Sequence, residues 1–154
     1  MKLDDYDLGA IIIGGAIHDH EHPGFNNIYM VETSDEIAVR YNDVSVLENH
    51  HVASAFKLMK NYELNIFQLM ERDDEKSIRK KMIGLVLATD MSKHFSEMGK
   101  YKSRVQAPDF DPSSGSDKES TMLLIFHMSD ISNSAKPFHV VRTWVDLLFV
   151  EFFH

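Results

Sequence analysis

Cysteine is absent from this chain of 154 residues. Disulfide bonds, thiolate nucleophiles and cysteine-based zinc sites are therefore excluded. Positive charge is also scarce, since 16 Lys and Arg residues stand against 24 Asp and Glu residues and give a formal net charge of −8. No electrostatic attraction would draw a polyanion to such a surface, so we expect no nucleic-acid partner. An anionic small molecule would need a metal ion or a local cationic patch.

Long hydrophobic runs are missing as well. The longest uncharged apolar stretch, Leu8–Ile17, is shorter than the roughly 20 residues that span a bilayer. Asp4, Asp5 and Asp7 precede it, where a signal peptide would carry positive charge. We therefore expect no membrane segment and a cytoplasmic location.

Several catalytic motifs do not occur. The sequence has no phosphate-binding G-x-x-x-x-G-K-[ST] loop, no G-x-G-x-x-G, no H-E-x-x-H and no G-x-S-x-G. Among enzyme classes, metal-assisted hydrolysis keeps the most support.

The composition, with 44% hydrophobic and 26% charged residues, fits one soluble globular domain. Helical periodicity predicts helices in Ser45–Met59, Ser77–Met98 and Phe138–Phe153. The segment Ala10–Ile17 is ambiguous, because its three isoleucines favour a strand and its paired glycines weaken a helix. Residues 107–120, rich in Pro, Ser and Asp, are predicted to form a flexible loop inside the domain.

The densest chemical cluster is His18-Asp19-His20-Glu21-His22. Imidazole nitrogens and carboxylate oxygens suit zinc, iron, manganese or magnesium. A solvated histidine-rich loop is the alternative, and three histidines with two acids in five residues favour metal binding over it.

Three further polar clusters are less specific. Glu48, His50 and His51 form one, which a solvent-facing glutamate beside a core histidine explains equally well. Asp90 follows an apolar run, and so does Asp130. Each aspartate alone would be interpreted as a helix cap or turn residue.

Taken together, these strings make the chain resemble the catalytic domain of class I 3′,5′-cyclic nucleotide phosphodiesterases. The motifs occur in the family's order at His18–Asn27, Ala38–Asp43, Ser45–His51, Leu87–Ser92, Ser129–Asn133, Trp144 and Glu151–Phe153. The resemblance implies an all-α, HD-superfamily fold, so Ala10–Ile17 is expected to be a helix that presents His18 and Asp19.

The resemblance also implies roles for single residues. His18, Asp19 and Asp130 are expected to bind one metal ion, with Asp19 bridging to a second. The two divalent ions would be zinc and magnesium, or manganese. Three other side chains, His22, Glu48 and Thr89, are expected to orient metal-bound waters.

The substrate side of the site is implied in the same way. Asn133 would contact the purine and Met91 would line the pocket. The implied reaction is hydrolysis of cAMP, cGMP or both to the 5′-monophosphate by a hydroxide that bridges the two metals, which places the chain in cyclic nucleotide signalling. The cGMP-specific branch of the family is favoured by Asn26-Asn27, Ala38–Asp43 and Trp144-Val145-Asp146.

The chain departs from the family at both ends. It lacks the upstream His-Asn-x-x-His segment, which supplies the general acid and another metal ligand, and the downstream purine-binding glutamine. We therefore expect a domain truncated at both ends, in which no residue is assigned as general acid. Such a fragment would be weakly active or inactive, and would form homodimers or larger assemblies through uncovered helices.

Two alternatives stay open. One is a non-catalytic interaction module that keeps a residual metal site. The other is an HD-type phosphohydrolase with a different nucleotide substrate.

Overall fold

Every defined element of the computed structural model, which describes residues 1–153, is helical, and no strand occurs in that range. The all-α prediction is confirmed. The α-helices are α1 (Asp5–Ile17), α2 (Asn27–Glu32), α3 (Glu36–Arg40), α4 (Val46–Leu58), α5 (Arg72–Leu87), α6 (His94–Val105), α7 (Gly115–Asp130) and α8 (Phe138–Phe152). Three short 3-10 helices cover Tyr62–Leu64, Met91–Lys93 and Ile131–Ala135.

Helix α1 replaces the strand that its isoleucines alone would favour. A capping box starts it: Asp7 donates its backbone N–H to Asp4 Oδ1 at 2.8 Å, and Asp4 donates its own to Asp7 Oδ2 at 3.0 Å. The helix packs against α5 and buries Ala10 and Gly14. A Cβ added to Gly14 would lie 3.5 Å from Leu85 Cδ1, which is ordinary contact. The helix contact therefore does not require glycine at this position.

The main core lies between α1, α4, α5 and α7. Its buried members are Ala10, Val52, Phe56, Phe67, Ile78, Met82, Leu85, Val86, Met122 and Phe126. A smaller cluster joins α2 and α3 to the start of α4 and contains Met30, Ala38, Val46 and Leu47. Both α1 and α7 pack against α5, which brings their C-terminal ends to the same region.

Two sequence-based boundaries are wrong. The single helix predicted over Ser77–Met98 is two helices, because Asp90 accepts a hydrogen bond from the Ser92 N–H at 2.9 Å and starts a 3-10 turn between them. The predicted loop 107–120 ends earlier, since α7 begins at Gly115. Arg104 Nε donates to Asp117 Oδ1 at 2.7 Å and ties this early turn of α7 to α6. The flexibility of the remaining loop stays a prediction.

Helix α8 has no buried residue, and all of its residues except the half-buried Val140 and Val141 are exposed. Its exposed side chains include Trp144, Leu148, Phe149 and Phe152. An apolar surface of this extent on a helix is typical of an interface rather than of a free surface. Within residues 1–153, no helix combines the length and the apolar character that a membrane crossing requires.

Candidate metal centre

The ends of α1 and α7 bring together the three side chains predicted to bind one metal. His18 Nε2 lies 3.2 Å from Asp19 Oδ2 and 3.2 Å from Asp130 Oδ1. His18 is the C-cap of α1, and Asp130 is the last residue of α7. The convergence therefore follows from the packing of both helices on α5.

The orientation of the His18 ring is set by its other nitrogen. His18 Nδ1 lies 2.8 Å from the Gly15 carbonyl oxygen, which can only accept, so Nδ1 carries the proton and Nε2 faces the carboxylates. Hydrogen bonds to Asp130 and then Asp19 raise the pKa of His18 to about 10 in the absence of an ion. The hydrogen bond from His18 lowers the pKa of Asp19.

This donor set fits a divalent metal ion. One imidazole nitrogen and two carboxylates are the ligands that zinc, manganese and magnesium sites use. A metal-binding histidine commonly donates its second ring N–H to a carbonyl, as His18 does to Gly15.

A second group of possible ligands shares Asp19. Ligand atoms of Asp19, His22 and His51 all lie within 4.8 Å of one another. His51 Nε2 is 3.9 Å from Asp19 Oδ1, and the His22 and His51 rings stack with centroids 5.5 Å apart. Asp19 thus directs one oxygen to His18 and the other to His51, which is the arrangement a bridging carboxylate needs.

His51 has no role assigned to it by the sequence analysis. It is 2% exposed, and Nδ1 donates to the His20 carbonyl oxygen at 2.7 Å, which leaves Nε2 facing Asp19. Burial lowers the pKa of His51, so its ring is neutral and free to accept. The available sequence signal was its position four residues after buried Leu47, on the inner face of α4.

The loop that carries Asp19 and His22 is also held by His50. His50 Nε2 lies 3.0 Å from Glu21 Oε2, and Glu21 adopts a left-handed backbone with φ 60°. Two adjacent histidines of α4 therefore fix the segment between Asp19 and His22, His50 through a side chain and His51 through a carbonyl.

Glu48 is held by Asn27 rather than by the metal-binding group. Asn27 Nδ2 donates to the two Glu48 carboxylate oxygens at 3.2 and 2.9 Å, and Asn27 Oδ1 accepts from the Leu47 N–H at 2.9 Å. Burial raises the pKa of Glu48. A carboxyl group with a raised pKa is suited to exchanging a proton with water.

The remaining predicted residues lie in the segments that follow α5 and α7. Thr89 Oγ1 donates to the Val86 carbonyl at 2.7 Å, and Met91 is 56% exposed. Asn133 Oδ1 accepts from Lys136 Nζ at 3.0 Å. The contacts of these side chains are local, so their roles towards waters and nucleotide stay predictions.

The rings of His94 and His127 are hydrogen-bonded to each other. His94 Nδ1 lies 2.8 Å from His127 Nε2, and burial lowers the pKa of His127. This contact uses one nitrogen of each ring, and the expectation that no residue of this chain acts as the general acid stays a prediction.

The helical fold brings together imidazole and carboxylate groups that could bind a divalent metal ion. Comparison with known proteins identifies the family to which the chain belongs. Residues 1–154 match the family model described as 3′5′-cyclic nucleotide phosphodiesterase, so the chain belongs to that family of hydrolases.

Three curated relatives are similar to this chain over nearly its whole length. The chain is 42% identical over 152 residues to "Probable 3′,5′-cyclic phosphodiesterase pde-1" of Caenorhabditis elegans, covering 99% of this chain and 22% of the relative. It is 40% identical over 152 residues to "High affinity cGMP-specific 3′,5′-cyclic phosphodiesterase 9A" of Homo sapiens, covering 99% and 25%. It is 37% identical over 151 residues to "3′,5′-cyclic-nucleotide phosphodiesterase regA" of Dictyostelium discoideum, covering 98% and 19%. The chain thus spans at most a quarter of the length of these relatives.

Proposed function

We propose that this chain is the metal-binding part of a catalytic domain that hydrolyses cAMP, cGMP or both to the 5′-monophosphate. The observation that carries the proposal is that carboxylate oxygens of Asp19 and Asp130 both lie 3.2 Å from His18 Nε2. Family membership supports the substrate class. The relative named as cGMP-specific supports including cGMP.

Three side chains would hold the first divalent ion, which we assign as zinc: His18, Asp19 and Asp130. Asp19 would offer its other oxygen to a second ion, magnesium or manganese, on the side of His51 and His22. When bound, the ions would supply Lewis acidity and neutralise the charge of the phosphodiester. That neutralisation would allow a protein of net charge −8 to bind an anion.

The surrounding side chains would position water and substrate. His51 presents a neutral Nε2 towards Asp19, since its Nδ1 is committed to the His20 carbonyl. Glu48, fixed by Asn27, would accept a proton from water. We assign four side chains to the ordering of water molecules: His51, Glu48, His22 and Thr89.

The substrate contacts are assigned to two exposed positions. Met91 would line the nucleotide pocket, and Asn133 would contact the purine. Because we assign no residue of this chain as the general acid that protonates the leaving 3′ oxygen, we expect the isolated chain to turn over slowly. A missing general acid typically reduces the rate by about 10²–10⁴-fold.

Two properties of the whole protein belong to the same proposal. We place the protein in the cytoplasm, where its cyclic nucleotide substrate is found in signalling. We also propose self-association, because α8 exposes the apolar side chains of Trp144, Leu148 and Phe149.

Metal titration tests the proposed site directly. We expect Mn²⁺ and Zn²⁺ to bind the wild-type chain in isothermal titration calorimetry, and Asp130→Asn to weaken binding at least tenfold. Asp5→Asn is the matched control, since Asp5 is an exposed carboxylate in the first turn of α1. Equal metal affinity for wild type and Asp130→Asn would refute the assignment. Hydrolysis of cAMP and cGMP by the metal-loaded chain then tests the substrate class.

A further inference from the structure

Asp90 is a buried acid with contacts to a segment far away in the sequence. It is 3% exposed. Its Oδ1 accepts hydrogen bonds from the Ser92 N–H at 2.9 Å and from Ser92 Oγ at 2.6 Å, while Oδ2 accepts from Ser45 Oγ at 2.7 Å. Lys93 Nζ lies 3.6 Å from Asp90 Oδ2 and donates to Ser45 Oγ at 2.6 Å. Both carboxylate oxygens therefore accept hydrogen bonds, and the negative charge faces the Lys93 ammonium group.

Ser45, on the other side of this contact, has an unusual backbone conformation. It is 7% exposed and left-handed, with φ 43° and ψ 53°. Residues other than glycine hold this conformation only where the surroundings enforce it. Ser45 occupies the N-cap of α4, a position where serine normally caps the helix. Its side chain makes no capping hydrogen bond and bonds to Asp90 instead.

The two segments joined by this contact carry residues of the proposed site. Ser45 precedes the first turn of α4, which contains Glu48, and the Asn49 N–H donates to the Ser45 carbonyl at 2.9 Å. Asp90 lies between Thr89 and Met91. A shift at the Ser45–Asp90 contact would therefore change the separation between Glu48 and the other two side chains.

We propose that Asp90 is a positioning residue: by holding the left-handed Ser45, it fixes the start of α4 and hence Glu48 relative to Thr89 and Met91. The functional meaning of this geometry rests on the proposed function, whereas the geometry itself is measurable without activity. The smaller apolar cluster of α2, α3 and α4 lies next to this contact, while the main core does not include it. Loss of the contact should therefore disturb the site more than the fold.

The test is NMR of the full chain carrying Asp90→Asn. Asn can keep the acceptor for the Ser92 N–H but lacks the charge and the second acceptor oxygen that Lys93 and Ser45 use. The readout is the side-chain amide of Asn27, which bonds to Glu48. We expect the Asn27 signals to move and the Asn49 amide to exchange roughly tenfold faster.

Asp35→Asn is the matched control. Asp35 caps α3 by accepting from the Ile37 N–H at 2.9 Å, as Asp90 accepts from Ser92, but its capping contact stays within α3. This variant should leave the Asn27 signals unchanged.

A second variant separates the contact from the charge. Ser45→Ala removes the hydroxyl but keeps a residue that disfavours the left-handed backbone, so it should move the same Asn27 signals as Asp90→Asn. Changes confined to residues 89–93 in Asp90→Asn would overturn the proposal, as would unmoved Asn27 signals in Ser45→Ala. The Mn²⁺ titration of the wild-type chain tests the proposed function separately. Failure of the positioning role of Asp90 can therefore be distinguished from failure of the proposed function.

Discussion

The buried carboxylate of Asp7 provides the sharpest stability prediction. Asp7 is 2% exposed, lies 2.6 Å from Lys81 Nζ and contacts Lys118 Nζ as well. It therefore links α1 to α5 and α7, and the ends of α1 and α7 carry the candidate metal ligands His18 and Asp130. Asp7→Asn keeps the size and capping acceptor of the side chain but leaves two lysines without their shared counter-charge.

The size of the effect follows from the exposure of the partners. Breaking a fully buried ion pair costs about 3–5 kcal/mol, whereas an exposed pair contributes about 0–1 kcal/mol. The Lys81 and Lys118 side chains are 24% and 21% exposed, so part of their charge is solvated. We expect Asp7→Asn to lower the free energy of unfolding by about 2–3 kcal/mol.

The pH dependence gives an independent signature. Burial raises the pKa of Asp7, but hydrogen bonds from Lys118 and Lys81 outweigh it and hold the pKa well below its ordinary value of 3.8. A depressed pKa stabilises the fold above the unfolded-state pKa, and this stabilisation is lost as the pH falls towards the folded-state pKa. The difference between wild type and Asp7→Asn should therefore shrink from about pH 6 to about pH 3.

Urea unfolding followed by circular dichroism measures both effects. Asp5→Asn is the control, because Asp5 is an exposed aspartate in the same helical turn, and we expect it to change the unfolding free energy by less than about 0.5 kcal/mol. Equal destabilisation by both variants would refute the reasoning, and so would a difference that does not change with pH.

Three further predictions concern the helix contact, the metal centre and the exposed helix. Gly14→Ala should keep or increase the unfolding free energy by up to about 1 kcal/mol, because a Cβ there makes ordinary contact with Leu85; a loss above this size in urea unfolding would contradict the packing. Saturating Zn²⁺ should raise the Tm of wild type more than that of Asp130→Asn, and differential scanning fluorimetry with an equal rise in both would exclude Asp130 as a ligand. Phe149→Glu should reduce self-association in analytical ultracentrifugation, and an unchanged distribution of species would show that α8 is not the contact surface.

Helical periodicity predicted α4 and α8 to within a residue or two of their observed ends. At Ala10–Ile17 it was ambiguous, because three isoleucines favour a strand and two glycines weaken a helix, and the expectation of a helix there came from the family resemblance. The helix forms because the Asp4–Asp7 capping box starts it and because its inner face packs on α5. Residue preference is a weak signal, and tertiary contacts override it.

Some residues of the candidate site could be recognised from the sequence, and others only from the structure. The string His18–His22 already indicated metal chemistry, because it concentrates imidazole and carboxylate groups. His51 belonged to a polar cluster that a solvent-facing glutamate beside a core histidine explained equally well, and Asp90 alone looked like a helix cap or turn residue. Their contacts with the His20 carbonyl and with Ser45 join parts of the chain that are distant in sequence, and a local pattern contains no information about such contacts.

The sequence by itself therefore determined which chemical groups are available, that most of the chain is helical, and which family its motifs resemble. Only the tertiary structure decided that α1 and α7 end side by side, which ring nitrogen of His18 faces Asp19 and Asp130, and which buried acids hold the helices in place. The physical reason is that side-chain chemistry and helical periodicity are properties of short segments. The direction in which a ligand atom points depends on packing between segments far apart along the chain.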